Sequence, residues 1–259
     1  MEKAVGLHEK KEREDFVSKN IVVKIGSSTI TGGGAEVDMP FLQSIAEQVA
    51  VLRQSGTRVT IVSSGAVACG KRNVTGYDGS RLHKQMAASF GQANLIARWQ
   101  EAFLPYGIGV AQILVTEETL SSAQVVIEQA SQFGIVIINA NDSVNSDEID
   151  QLGICADNDR LAAHLAEQIR ADTVLLLTDT AVKDVYGNEV SCINPYDDLS
   201  QFIQFNGSSS LGTGGMASKH MEALQLAQYG IRAHIGNGRE PDALLNAARG
   251  SSFGTMYLQ

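Results

Sequence analysis

The chain has 259 residues, 44% of them hydrophobic, and its 20 basic and 29 acidic side chains give a formal net charge of −9. That length holds one large α/β domain or two small ones with ample material for a core, and the acidic balance argues against nucleic acid or an anionic membrane as the main partner. Residues 1–19 carry Glu9-Lys10-Lys11-Glu12-Arg13-Glu14-Asp15 without an apolar stretch, so they read as a charged, solvated N-terminal arm and not a secretory leader, with residues 20–259 as a single domain. Cys69, Cys155 and Cys192 form no Cys-x-x-Cys pair and read as reduced structural thiols of a cytoplasmic protein. No apolar run reaches membrane-spanning length.

Taken in order, Ile21-Val22-Val23-Lys24-Ile25, closed by Gly26-Ser27-Ser28, has the pattern of a strand buried on both faces. Lys24 interrupts it. A lysine there is costly to desolvate unless a carboxylate or an anionic ligand faces it, and the plainer alternative is an edge strand. Asp38 and Pro40 open a helix with the stripe Leu42, Ile45, Val49 and Leu52, ended by Gly56. The strand at 58–62 runs into Ser63-Ser64-Gly65-Ala66 and a following helix. A nucleophile elbow requires Gly where this chain has Val62, so Ser64 and Gly65 read instead as hydroxyl and amide donors to a bound carboxylate or phosphate.

A long helix is predicted over 82–104, a strand over 110–115, a helix capped by Ser121-Ser122 through Val125, Val126 and Gln129, and a strand over 135–138. Asn139 to Glu148 is an acceptor-rich loop at the carboxyl end of that strand, where open α/β sheets bind ligands; a solvated acidic loop is the plain alternative. Asp157-Asn158-Asp159 then starts the helix bearing Leu161, Leu165 and Ile169. One N-cap needs one such residue, which leaves two for other work. A strand over 173–177 ends in Thr178-Asp179, the stretch 181–210 is irregular, a strand covers 233–235, and a last helix covers 241–248.

The stretch Leu211-Gly212-Thr213-Gly214-Gly215-Met216-Ala217-Ser218-Lys219 opens a helix running to Tyr229. Its glycines free the backbone to turn amides toward one point, and Lys219 adds a full charge in the first turns, which suits an anion. It is not a Walker A loop, since His220 follows the lysine; a plain flexible connection is the alternative. Scattered histidines give no metal-ligand spacing, and no Gly-x-Gly-x-x-Gly follows the first strand, which weakens a dinucleotide-dependent oxidoreductase. The alternation of strands and helices predicts an α/β fold: an open, mostly parallel sheet with helices on both faces.

With these pieces placed, the chain resembles the amino acid kinase family, and within it the branch that phosphorylates glutamate. The likeness rests on Val23-Lys24-Ile25-Gly26-Ser27-Ser28, Val62-Ser63-Ser64-Gly65-Ala66, the segment Lys84 to Gln92, the loop Asn139 to Val144, Asp157-Asn158-Asp159, Leu176-Leu177-Thr178-Asp179, and Leu211 to Lys219, all in the family's order. It implies an αβα sandwich and ATP-dependent phosphoryl transfer to the γ-carboxylate of L-glutamate, the first step of proline synthesis. It also implies Mg²⁺ held by the ATP phosphates, a small-molecule substrate, a homo-oligomer, and a reductase that receives the acyl phosphate. Lys24, Asp159 and Lys219 would be catalytic. Lys24, Gly26, Thr178, Asp179, Thr213, Gly214, Gly215, Met216 and Lys219 would contact the nucleotide, and Ser64, Gly65, Asp142 and Asn158 the acceptor.

The chain departs from the pattern in three places. Ala140 stands where the family has Glu, the Asn-Ala-Arg helix segment near 121–130 is not recognisable, and the Asp-Pro pattern after Asp179 is missing. A kinase of the same family acting on another acid, and a non-catalytic nucleotide sensor, are the alternatives. The sequence stops soon after Tyr257, which suggests a kinase domain without the C-terminal PUA domain of many members of that branch.

Overall fold

The computed structural model describes residues 17–34, 36–144, 157–199, 202, 203, 205 and 215–258. Among them, eight strands form one sheet: Asn20–Ile25 (β1), Arg58–Ser63 (β2), Gly109–Val115 (β3), Gly134–Ala140 (β4), Thr173–Thr178 (β5), Cys192–Ile193 (β6), Arg232–Asn237 (β7) and Thr255–Tyr257 (β8). The order is β3-β4-β2-β1-β5-β7-β8-β6. Every neighbouring pair is parallel except β7 with β8, so the expected α/β sheet is what the chain forms. Lys24 stands in register with Val62 on one side and Leu176 on the other. Its strand is central, which removes the edge-strand explanation.

The helices are Ser27–Thr31 (α1), Met39–Gln54 (α2), Ala66–Gly70 (α3), Arg81–Phe103 (α4), Leu120–Phe133 (α5), Asn158–Gln168 (α6), Met216–Gln228 (α7) and Ala243–Ala248 (α8). No helix among the described residues is long and apolar enough to cross a membrane. Strand alternation sends Ile21, Val23 and Ile25 to one face, where they pack with Leu42, Ile45, Leu95, Trp99 and Leu244. Val22 and Val62 go to the other, against Leu120, Ile127, Leu161, Leu165 and Leu226. Lys24 shares the face of Val22. The helix opening at Asp38 forms as predicted, the Asp38 side chain accepting the Phe41 N–H at 3.1 Å with Pro40 in the first turn.

Several expectations need correction. The helix expected through Val125, Val126 and Gln129 forms as α5, which buries Leu120, Ala123 and Ile127 and leaves Val125 and Val126 66% and 56% exposed. Thr119, not the serine pair, precedes that helix, and it makes no side-chain capping bond. The arm through residue 16 lies outside the described residues, as does Cys155, but Ser18 is fully buried, its N–H donating to the Ala248 carbonyl at 2.9 Å. The Lys19 N–H donates to Asp172 at 2.7 Å. Anchoring of the chain therefore begins before β1. Cys69 is buried as expected, whereas Cys192 is exposed on β6.

One contact sets where the β2 turn sits. A Cβ on Gly70 would lie 1.8 Å from the Ala87 carbonyl oxygen, and one on Gly91 would lie 1.8 Å from that of Ala66. The two helices thus touch backbone to backbone, a distance only glycine permits. Gly91→Ala should force α3 away from α4 and destabilise the protein by about 1–3 kcal/mol, the cost of overpacking a rigid contact. Thermal unfolding measures it; an unchanged melting temperature would show that the helices separate freely.

Candidate active site

The three charged residues predicted to act together meet at the carboxyl ends of the central strands. Lys24 comes from β1, Asp159 from the first turn of α6 and Lys219 from the first turn of α7. One Asp159 oxygen lies 2.5 Å from the Lys24 ammonium and the other 2.9 Å from that of Lys219. Asp159 is fully buried and the lysines are 4% and 7% exposed. Burial of the Asp159 carboxyl raises its pKa, yet the Lys24 and Lys219 charges outweigh that and hold it below the ordinary carboxylate value. Two ammonium groups thus converge on one carboxylate from different elements, and in a water-poor setting such paired cations suit an anionic ligand.

Asp157, not Asp159, caps α6, accepting the Asp159 N–H at 2.9 Å through one oxygen and the Ser218 hydroxyl at 2.9 Å through the other. A second bond thus ties α6 to α7 beside the Asp159 to Lys219 contact. Neither Asp157 nor Ser218 was singled out from sequence. The signals for Asp157 were its place among three consecutive capping-type residues and in the Asp157-Asn158-Asp159 motif.

A polar chain runs beside the charges. The Asn158 side-chain amide donates to Ser64 Oγ at 2.8 Å and to Asn139 Oδ1 at 3.1 Å, and Asn139 Nδ2 donates to Gln92 Oε1 at 3.0 Å. Trp99 Nε1 donates to Ser63 Oγ at 3.0 Å, which fixes the residue next to Ser64. Gly65 follows at φ +113°, in the left-handed region that favours glycine, and precedes α3. Ser64, Gly65 and Asn158 are therefore neighbours, as their predicted common task requires. Asp142 lies in the turn just past β4, partly buried. Ala140 is 3% exposed within the apolar core. Gln92 and Asn139 had no predicted role of their own; the signals were a glutamine inside a motif segment and a polar residue ending a buried strand.

Of the residues expected to contact the nucleotide, Gly26 has an extended backbone (φ −75°, ψ 162°) that any residue adopts. A Cβ there would meet Thr29 Oγ1 at 3.8 Å and Lys24 Nζ at 3.9 Å, ordinary contacts. The fold itself does not demand glycine at that position. Gly215 precedes α7 and Met216 is its first residue. Thr178 ends β5 opposite Asn237, and Asp179 lines a cleft of about 400 Å³ with Ser28, Gly32, Gly33, Asp38 and Arg239. The structure thus places Asp179 apart from the lysine pair's immediate contacts. Thr213 and Gly214 lie outside the described residues.

Comparison with known proteins bears on this arrangement. The amino acid kinase family matches residues 19–237. The glutamate 5-kinase of Geobacter sulfurreducens is 39% identical over 93% of this chain and 68% of its own length. That of Symbiobacterium thermophilum is 34% identical over 92% of this chain and 95% of its own. Among solved structures, Giardia carbamate kinase aligns with a TM-score of 0.66 at 14% identity, covering 93% of this chain and 99% of that one. The UMP kinase of Bacillus anthracis aligns at 0.60 and 14%, covering 93% and 96%. At such identities the structural likeness concerns the fold alone.

Proposed function

The chain belongs to the amino acid kinase family, and on that premise we propose that it transfers the γ-phosphoryl group of ATP to the side-chain carboxylate of L-glutamate, giving γ-glutamyl phosphate for proline synthesis. The observation that carries this is the buried Asp159 carboxylate spanned by two ammonium groups from different elements. Both the attacking carboxylate and the γ-phosphate are anionic, so the first barrier to transfer is their repulsion. Lys24 and Lys219 supply positive charge from two sides of the transferring group, and Asp159 holds them apart in fixed positions, so no reorganisation is needed as charge develops. A general base is unnecessary, because the acceptor carboxylate is ionised at pH 7.

Backbone amides of Gly26, Gly214 and Gly215 would approach the phosphates, with Thr178, Asp179, Thr213 and Met216 toward the rest of the nucleotide. Both Asp159 oxygens already face ammonium groups. Mg²⁺ would be held by the nucleotide and not by Asp159, and would supply charge that offsets the phosphates. On the acceptor side, Asp142 and the Asn158 carbonyl oxygen suit the α-ammonium, and Ser64 and Gly65 the carboxylate end. The acyl phosphate product hydrolyses readily, which favours a reductase that takes it directly in the cytoplasm. A homo-oligomer is supported by Leu82, Met86 and Phe90, 65%, 39% and 54% exposed at four-residue spacing along α4.

Trapping the product with hydroxylamine across a panel of amino acids tests the proposal. An ATP-dependent hydroxamate selective for L-glutamate is expected. Selective signal with another acid would transfer the chemistry to that acceptor, and nucleotide binding without turnover on any acid would leave a sensor.

A further inference from the structure

We propose that His220 and Tyr257 are positioning residues for Lys219: the bond between them seats the amino end of α7 against β8, and turnover depends on that bond through Lys219. The inference rests on the carboxylate-kinase reading above. The start of α7 has little local support. Gly215 stands at its N-cap with no side-chain bond, and the Lys219 N–H reaches the Gly215 carbonyl only at 3.3 Å. A helix end without a cap takes its place from tertiary contacts, so what holds the neighbouring side chains decides where the Lys219 backbone sits.

Three consecutive residues do the holding, and they reach two different elements. Ser218 and Lys219 go to α6, at Asp157 and Asp159. His220 goes to the sheet. Its Nδ1 lies 2.7 Å from the Tyr257 hydroxyl, the two rings meet edge to face at 5.6 Å, and the Phe205 ring packs on the imidazole at 4.9 Å. Tyr257 is a firm anchor: it is fully buried, and it pairs with Ala233 of β7 on one side and Ile193 of β6 on the other. Its hydroxyl sits within an apolar cluster, where a polar atom without a partner is costly, and His220 meets it. Burial lowers the His220 pKa below the usual histidine value, which keeps the ring neutral at pH 7 and adds no third cation beside the lysines. The route from this pair to the chemistry is one backbone step, from residue 220 to 219.

Three substitutions dissect the pair. Tyr257→Phe removes one oxygen and keeps the ring, His220→Leu removes the nitrogen, and His220→Asn keeps a polar atom near the Nδ1 position and with it the bond. Tyr257→Phe and His220→Leu should each lower kcat about tenfold, with the KM for L-glutamate within about twofold of wild type. Ångström-scale misplacement can cost about 10²-fold, and the smaller figure applies because Asp157 and Asp159 still hold the α6 side. His220→Asn should stay within about twofold of wild type. The comparison that isolates the route places Tyr257→Phe in the Lys219→Ala protein. With the ammonium gone there is nothing left to position, so the second substitution should change kcat by less than about twofold. A residue that merely stabilised the fold would lower turnover by the same factor in both backgrounds.

Wild-type kcat in Tyr257→Phe, or a fall of equal size with and without Lys219, would overturn the proposal. Should Tyr257→Phe fail to fold, His220→Leu takes its place in both backgrounds, and a loss in His220→Asn equal to that in His220→Leu rejects the bond. Failure of the underlying reading is distinct, since wild-type protein would then give no phosphorylation of L-glutamate before any variant is compared.

Discussion

Lys24→Ala and Lys219→Ala should each lower kcat by about 10²–10³ while the protein stays folded. The magnitude is that of removing one preorganised charge from the position where transition-state charge develops. Each single substitution leaves Asp159 one ammonium partner, so what remains in the interior is a neutral pair and not a bare carboxylate. Loss of turnover should therefore exceed loss of stability in both variants, and KM for ATP should move less than kcat, since a charge that matters most in the transition state acts chiefly on the rate. Steady-state kinetics beside thermal unfolding separate the two quantities. Near-normal turnover in both variants would remove these lysines from the chemistry.

Asp159→Asn has the opposite balance. Two buried ammonium groups then face a neutral amide, and breaking a buried charge cluster in this way costs about 3–5 kcal/mol. For a chain of this size that lowers the melting temperature on the order of 10 °C. The pH dependence has a definite sign. Asp159 titrates below the ordinary carboxylate value, so its contribution is fully present above that value and is lost as pH falls through the lowered one. The gap between wild type and Asp159→Asn should be constant through neutral pH and close only in acid. ATP should stabilise the variant more than the wild type, because its phosphates restore the missing negative charge. A melting temperature equal to wild type at pH 7 would show that the lysines escape to solvent and are not held by Asp159.

What was legible in the sequence depended on range. Runs such as 21–25 and 173–177 and the capped helix after Asp38 carry their structure locally, and each formed close to where expected. The lone lysine in a buried run pointed to a facing charge, and Asp159 supplies it. β8 was missed because its three residues are too few for alternation to show. The cap of α6 could not be assigned among Asp157, Asn158 and Asp159, because all three side chains suit the role and only backbone geometry chooses. The link from Gln92 to Asn139 to Asn158 joins a helix, a strand end and a second helix, and no local pattern marks a bond between residues so distant.

The indole donating to Ser63 has a practical side. Trp99 is the only tryptophan in the chain, it is fully buried, and its one polar atom is spent on the residue beside Ser64. The protein therefore carries a single tryptophan fluorophore, which can be excited selectively over its six tyrosines, hydrogen-bonded beside the turn that would receive the acceptor. Its emission comes from one place and reports on that turn without any label, which offers an optical titration of acceptor occupancy independent of turnover.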